Sequence, residues 1–473
     1  MAKQVYITTT LPYVNSDPHI GFALEIVHAD IYARFNRLIG NEVFFNTGTD
    51  EHGQKIFEKA KASGVDTQAY VDEYAEKFDN LKSALNLSYD SFIRTTDSKH
   101  VASAQAFWKR CKDNGDIYKK LYKVKYCVGC ELEKTDSELE EGKCPLHPNA
   151  ELEIREEENY FFKFSNYQDK LLSFYEKNPD FVVPDFRFNE IKAFVERGLE
   201  DFSISRLKEK MSWGVSVPDD NEHVMYVWFD ALINYISAPG WPHDMEDFEK
   251  RWPVIQFAGK DNLRQQSAMW QAMLFSAGIA PSEKIVIHGF INSGGQKMSK
   301  SLGNVVNPYA LVEEYGTDAV RYYLARHIHP FEDSDYTDEK FKEIYTANLV
   351  NGLGNLTSRI LTMAENYKIR YDGPLDLASI GKVDTGSLER FEVNKYMDEV
   401  WKMIQEADGY IQKEEPFKKI KTDKDGATKD IQHLLSELAV IAKLIKPVMP
   451  KTGEKIKSAI KENKKPDVLF PRK

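Results

Sequence analysis

The run Val5-Tyr6-Ile7-Thr8-Thr9-Thr10, the loop from Leu11 to Pro18 and the tetrapeptide His19-Ile20-Gly21-Phe22 decide the fold. The first run is β-branched and aromatic, as a buried strand requires. After His19, apolar residues recur at Ile20, Leu24, Val27, Ile31, Phe35 and Leu38. That three-to-four spacing predicts a helix, with Gly40 as its stop. A second strand-like run, Val43-Phe44-Phe45, follows and ends in Thr47-Gly48-Thr49-Asp50. Strand, loop, helix and strand open a parallel sheet whose ligands gather beyond the C-terminal strand ends. His19 and Gly21 are thereby delivered to a helix N-terminus, where backbone amides and the helix dipole favour phosphate. Gly21, without a side chain, leaves room for a flat base against the backbone.

The alternation returns in the second half. Val254-Ile255-Gln256-Phe257-Ala258 and Lys284-Ile285-Val286-Ile287-His288 read as buried strands separated by a long helical pattern. The fold class is therefore α/β, a doubly wound, Rossmann-like parallel sheet in two halves, residues 1–115 and 216–340. Residues 116–215, rich in Tyr, Cys and Glu, read as an inserted subdomain. Beyond about residue 340 the strand signal ends. Helical patterns span Phe341 to Tyr367, Leu388 to Ile411 and Lys429 to Ile460, which predicts an all-α bundle over 341–473.

Inside the insertion, Cys127-x2-Cys130-x13-Cys144-x2-His147 has the spacing of two knuckles sharing one tetrahedral ion. Three thiolates and an imidazole suit zinc, and four protein ligands leave no open position, so the site is predicted to be structural. Cys111 falls outside the pattern and is expected in the core.

Composition narrows the setting. The 473 residues are 42% apolar and 29% charged, with four cysteines and a net charge of −11. Four cysteines do not make a disulfide framework, no run is long enough to span a membrane, and the opening residues lack a secretory pattern. A cytoplasmic location is expected. The acidic balance hides local basic runs at Lys413–Lys424 and 451–473, which can track phosphates.

A second lysine-rich element, Lys297-Met298-Ser299-Lys300-Ser301, follows the last strand-like run. Paired with His19-Ile20-Gly21-Phe22, in this order, it resembles the ATP-binding elements of class I aminoacyl-tRNA synthetases. Three longer strings make the chain similar to the methionyl members. They are Thr9 to Asn15, Thr47-Gly48-Thr49-Asp50-Glu51-His52-Gly53, and Tyr226-Val227-Trp228-Phe229-Asp230-Ala231-Leu232-Ile233-Asn234-Tyr235. Gly259-Lys260-Asp261 and the zinc knob add to the likeness.

The resemblance implies activation of methionine by ATP, loss of pyrophosphate and transfer of the methionyl group to tRNA(Met). It implies catalytic roles for His19, Gly21, Lys297 and Lys300, and further ATP contacts from Glu25, Arg206 and Asp261. Methionine would meet Leu11, Tyr13, Asp50, Trp228, Leu232, Tyr235 and Gln266, and the anticodon would meet Asn355, Arg359 and Phe417. Magnesium is expected to arrive with the ATP phosphates. Neither DNA nor a membrane is an expected partner, and a monomer is expected. The chain departs from the family twice: Phe22 replaces the second histidine of the first motif, and Gln266 replaces a histidine five residues after Asp261. Two other readings remain open on sequence. One is a nucleotidyltransferase with the same histidine motif, activating another amino acid or a small metabolite. The other is an inactive synthetase-like paralogue, prompted by Phe22 and Gln266.

Overall fold

The computed structural model describes residues 2–130, 132–134, 139–298, 302–373 and 385–473. At its centre lies a six-stranded sheet formed by β1 (Gln4–Thr9), β2 (Glu42–Thr49), β3 (Ser91–Arg94), β4 (Val182–Val183), β5 (Val254–Gly259) and β6 (Lys284–His288). The strand order is β3-β2-β1-β5-β6-β4, and every neighbouring pair is parallel. Order reverses between β1 and β5. The loops leaving those two strands therefore flank one crevice, where doubly wound sheets bind ligands. Helix α1 (Ile20–Leu38) crosses from β1 to β2, ends before Gly40, and buries Leu24, Val27, Ile31 and Phe35 as its spacing foretold.

The segment expected to be one insertion is divided. Ile117–Cys127 pairs antiparallel with Glu153–Phe162 and Leu132–Lys134 in a separate four-stranded sheet completed by Phe202–Ser203. Between those strands the chain returns to the central sheet, where β4 forms its far edge beside β6. Phe181 and Val182 are buried there, and the Phe181 carbonyl accepts from the Ile285 amide at 2.8 Å. Two residues of strand are too few to show a period, so the sequence hid this return.

The C-terminal region is helical, as expected, with two corrections. The pattern from Leu388 to Ile411 is two helices, Gly386–Glu389 and Val393–Glu414, parted at Phe391, whose φ is +62°. The pattern from Lys429 to Ile460 is also two helices, Lys424–Leu444 and Pro450–Glu462. Pro447 and Pro450 cannot donate to a continuing helix and close the first one. This hairpin is tied to the sheet domain by Arg321, which is wholly buried. Its guanidinium meets Asp30 of α1 at 2.7 Å and donates to the carbonyls of Val448, Pro447 and Leu85 at 2.7, 3.0 and 3.1 Å. Among the described residues no helix is long and apolar enough to cross a membrane.

Candidate active site

His19 is the N-cap of α1. Its backbone is extended, and its Nδ1 accepts a hydrogen bond from the Gly21 amide at 3.1 Å. The cap fixes the tautomer: with Nδ1 accepting, the neutral ring carries its proton on Nε2, a donor for an anion at the helix start. A β-carbon on Gly21 would lie 2.9 Å from His19 Cε1. Glycine at 21 therefore admits the histidine's own ring.

The two motifs meet. The Ile20 amide donates to the Val306 carbonyl at 3.0 Å, and Met298 Cε lies 3.9 Å from the place a Gly21 β-carbon would take. Lys297 ends the short strand Gln296–Lys297, held antiparallel to Ile291–Ser293. Its Nζ lies over the Phe290 ring at 5.6 Å. Ser299, Lys300 and Ser301 lie outside the described residues.

A cleft of about 560 Å³ opens at the strand-order reversal. His19, Gly21, Glu25, Asp261 and Lys297 line one end, while Leu11, Tyr13, Asp50, Trp228, Leu232, Tyr235 and Gln266 line the other. Sequence neighbourhood alone could not unite them, since they come from the loops after β1, β2 and β5, from α1, from the strand Gln296–Lys297 and from the helical turns Val227–Ala231, Asn234–Ser237 and Gln265–Met269. Backbone bonds set two of the walls against each other: the Val14 amide donates to the Asp50 carbonyl at 3.2 Å, and the Asp50 amide to Pro12 at 3.0 Å.

At the polar end, Glu25 is buried. Its Oε1 accepts from the Thr10 amide and hydroxyl at 2.7 and 2.5 Å, and its Oε2 meets His288 Nε2 at 2.7 Å. The other His288 nitrogen, Nδ1, donates to the Gly289 carbonyl at 2.8 Å. Burial opposes charge on His288, but the Glu25 carboxylate outweighs it and raises the imidazole above its usual range. Sequence reasoning missed His288; its place at the end of a strand beside the cleft was the available signal. Nearby, the cleft walls push the Asp261 carboxyl up and the His19 imidazole down. Solvent reaches both through the mouth, yet the walls strip much of their hydration.

Behind the apolar end, Asp230 is fully buried between two histidines. Oδ2 meets His52 Nδ1 at 2.6 Å and Oδ1 meets His100 Nε2 at 2.9 Å. Burial alone would raise this carboxyl, but the histidines prevail and hold it at about 2. The cluster anchors the helix that carries Trp228.

The four knuckle ligands converge, with their donor atoms within 4.8 Å of one another. Cys130 Sγ lies 3.3 Å from Cys144 Sγ and 3.2 Å from His147 Nδ1, which is 3.9 Å from Cys127 Sγ. Tetrahedral zinc with thiolate bonds near 2.3 Å separates its ligand atoms by roughly 3.8 Å, so this set fits one ion. A β-carbon on Gly129 would lie 2.4 Å from the His147 ring, so only glycine lets that ring close. The knob also walls the cleft through Gly129, Cys130, Leu146 and His147, and Lys55 Nζ donates to the Gly129 carbonyl at 2.5 Å. Cys111 is buried in the core, as expected.

Three expected positions lie elsewhere in the helical region, and one lies off the cleft. Arg206 does not line the cleft. It is buried with its guanidinium 4.3 Å from the Tyr226 ring centroid and donates to Ser203 Oγ and the Ser205 carbonyl at 2.8 and 2.7 Å. Asn355 and Arg359 sit one turn apart at the start of the helix Asn355–Tyr367, where Arg359 pairs with Asp408. Phe417 is exposed on a short turn after Pro416. Phe22 packs edge-on against Phe78 at 5.3 Å, giving the cleft an apolar wall where the family has its second histidine.

A family model described as tRNA synthetases class I (M) matches residues 5–152 and 136–361, and one described as the anticodon binding domain of methionyl tRNA ligase matches 376–470. The Methionine--tRNA ligase of Thermotoga maritima is 41% identical over 98% of this chain and 76% of its own length. That of Thermosynechococcus vestitus is 41% identical over 96% of this chain and 90% of its own. A solved structure of Mycobacterium tuberculosis methionyl-tRNA synthetase in complex with methionyl-adenylate superimposes with a TM-score of 0.90 at 36% identity, covering 99% of this chain and 98% of that one. On these matches, over nearly its whole length, the chain belongs to the methionyl family of class I tRNA synthetases.

Proposed function

We infer that the protein is a methionine–tRNA ligase, activating methionine with ATP and passing the methionyl group to tRNA(Met). The observation that carries this is the single cleft lined by the capped His19 turn, Lys297, and the seven residues expected for methionine. The methionine carboxylate attacks the α-phosphorus of ATP in line, and pyrophosphate leaves. Catalysis of such a step is positioning and charge stabilisation, with no general base required. His19 Nε2–H donates to the phosphate as its charge grows. Lys297 and Lys300 attract the leaving pyrophosphate, and the Glu25–His288 pair and Asp261 border the nucleotide. Asp50 pairs with the substrate ammonium, while Leu11, Tyr13, Trp228, Leu232, Tyr235 and Gln266 surround the thioether.

Zinc held by Cys127, Cys130, Cys144 and His147 supplies structural closure of the knob, and magnesium travels with ATP. The division into 1–115, 116–215, 216–340 and 341–473 is proposed as the functional layout, with β4 lent back to the catalytic sheet. Asn355, Arg359 and Phe417 read the anticodon, the ring by stacking on an unpaired base. A cytoplasmic monomer that uses no DNA fits this reading. The decisive experiment is methionine-dependent exchange of pyrophosphate into ATP across the amino acids. Among the twenty standard amino acids, exchange with methionine alone is expected; exchange with another of them in its place, or none, refutes the assignment.

A further inference from the structure

Behind the thioether end of the cleft lies a chain of neutral, buried side chains. Gln256 sits on β5, Gln266 and Gln271 on the helical segment after it, and Ser282 on the loop into β6. All four, with Tyr235, are buried, and of the five only Tyr235 and Gln266 line the cleft. Gln266 falls within the wider turn Gln265–Met269, a π-helical geometry that recurs at functional sites.

Backbone groups fix the first bonds of this chain, and the Ser282 hydroxyl proton sets the direction of the rest. The Ser282 amide can only donate, and it donates to Gln271 Oε1 at 3.0 Å. Gln271 Nε2 is then the donor, to the Gln266 carbonyl at 2.8 Å and to Ser282 Oγ at 3.2 Å. Ser282 Oγ, having accepted, gives its own proton to Gln256 Oε1 at 2.5 Å. Gln256 Nε2 must therefore donate to Gln266 Oε1, at 2.9 Å, and Gln266 Nε2 to the Tyr235 hydroxyl oxygen, at 2.8 Å. Turning Gln256 and Gln266 together would leave the Ser282 hydroxyl proton, buried and aimed at Gln256 Oε1, facing an amide N–H instead of an acceptor, the cost that holds the chain in this direction. The Tyr235 oxygen is thus an acceptor toward the protein, and its own hydrogen is left for whatever enters the cleft. Burial also raises the phenol well above its usual range, so that hydrogen stays in place.

We propose that Gln271, Ser282 and Gln256 are positioning residues whose one-way relay through Gln266 aims the Tyr235 proton at the substrate side chain, selecting one that accepts a hydrogen bond. This rests on the methionine assignment above. A thioether accepts and cannot donate, whereas an isosteric methylene does neither. The relay therefore acts on the difference between methionine and norleucine, which are matched in shape. Breaking it upstream frees the Gln266 amide to turn, so that Tyr235 can spend its hydrogen on Gln266 Oε1 instead.

The test uses the full chain and pyrophosphate exchange with methionine and norleucine as probes. Ser282→Ala removes one oxygen, and Gln256→Leu removes the amide at nearly constant volume. Each is expected to lower the methionine-to-norleucine ratio of kcat/KM by about 3- to 10-fold, the worth of one hydrogen bond. Norleucine kcat/KM and the KM for ATP should hold. In Tyr235→Phe the ratio should fall as far, and adding Ser282→Ala should then change nothing more. An unchanged ratio in Ser282→Ala, or an equal fall for both amino acids, overturns the relay while leaving the methionine assignment standing. Absence of methionine exchange in the unaltered protein overturns both.

Discussion

The Ile20 amide donates to the Val306 carbonyl across 3.0 Å, joining the first turn of α1 to the loop that leaves the lysine motif. Positions 286 residues apart in the chain thus share one backbone hydrogen bond. Anything that moves the lysine loop acts on the helix start that carries His19.

Gly21→Ala places a β-carbon 2.9 Å from His19 Cε1 and dislodges the ring from its cap. Since His19 acts on developing charge, kcat for pyrophosphate exchange should fall by about 100-fold, typical of losing one transition-state donor. The methionine KM, set at the other end of the cleft, should change little. Steady-state exchange kinetics separate the two parameters.

Gly129→Ala drives a β-carbon to 2.4 Å from the His147 ring and opens the knuckle. Metal analysis should find one zinc per chain in the unaltered protein. The variant should lose its zinc to a chelator at concentrations that leave the unaltered protein loaded, and the knob should become the first site of proteolysis.

Asp230 is held at about 2 in the folded chain, against an ordinary value of 3.8. A depressed carboxyl stabilises the fold above its unfolded value and loses that effect as pH falls through the folded one. Its contribution, on the order of 2 kcal/mol, should be whole above pH 4 and vanish toward pH 2. Asp230→Asn should therefore be less stable by that order at pH 7, with the gap narrowing as pH falls below 4 and about half gone at pH 3. Urea midpoints at pH 7 and at pH 3 give the comparison.

Arg359→Ala should lower transfer to tRNA by about 10- to 100-fold, the range of losing a base-edge contact, while exchange without tRNA is untouched. Parallel exchange and charging assays with tRNA(Met) decide it; an equal loss in both would place Arg359 in the folding of the bundle.

Much of this site could be read in the sequence because its signals are local. His19 and Gly21 are two residues apart, and the knuckle declares itself by two short spacings. The helix spacing from Ile20 to Leu38 gave α1 almost to the residue. What stayed hidden depends on strands meeting late. His288 reaches Glu25 only when β6 lies near the start of α1, and Gln256 reaches Ser282 only where β5 runs beside the loop into β6. Arg206 was carried over from a motif, but packing against Tyr226 draws it off the cleft. The break between Leu444 and Pro450 was announced by Pro447, and the apolar period across it obscured the proline's message.

Arg321 has a consequence for how this chain can be taken apart. Its charge is lodged between α1 and the turn that joins the last two long helices, every described contact made to one or the other or to Leu85. A fragment ending near residue 340 would strand that cation in a dry interior with two of its carbonyl partners gone. The sheet domain and the helical domain are therefore not beads on a string but are keyed together through one buried cation that touches both α1 and the last helical hairpin.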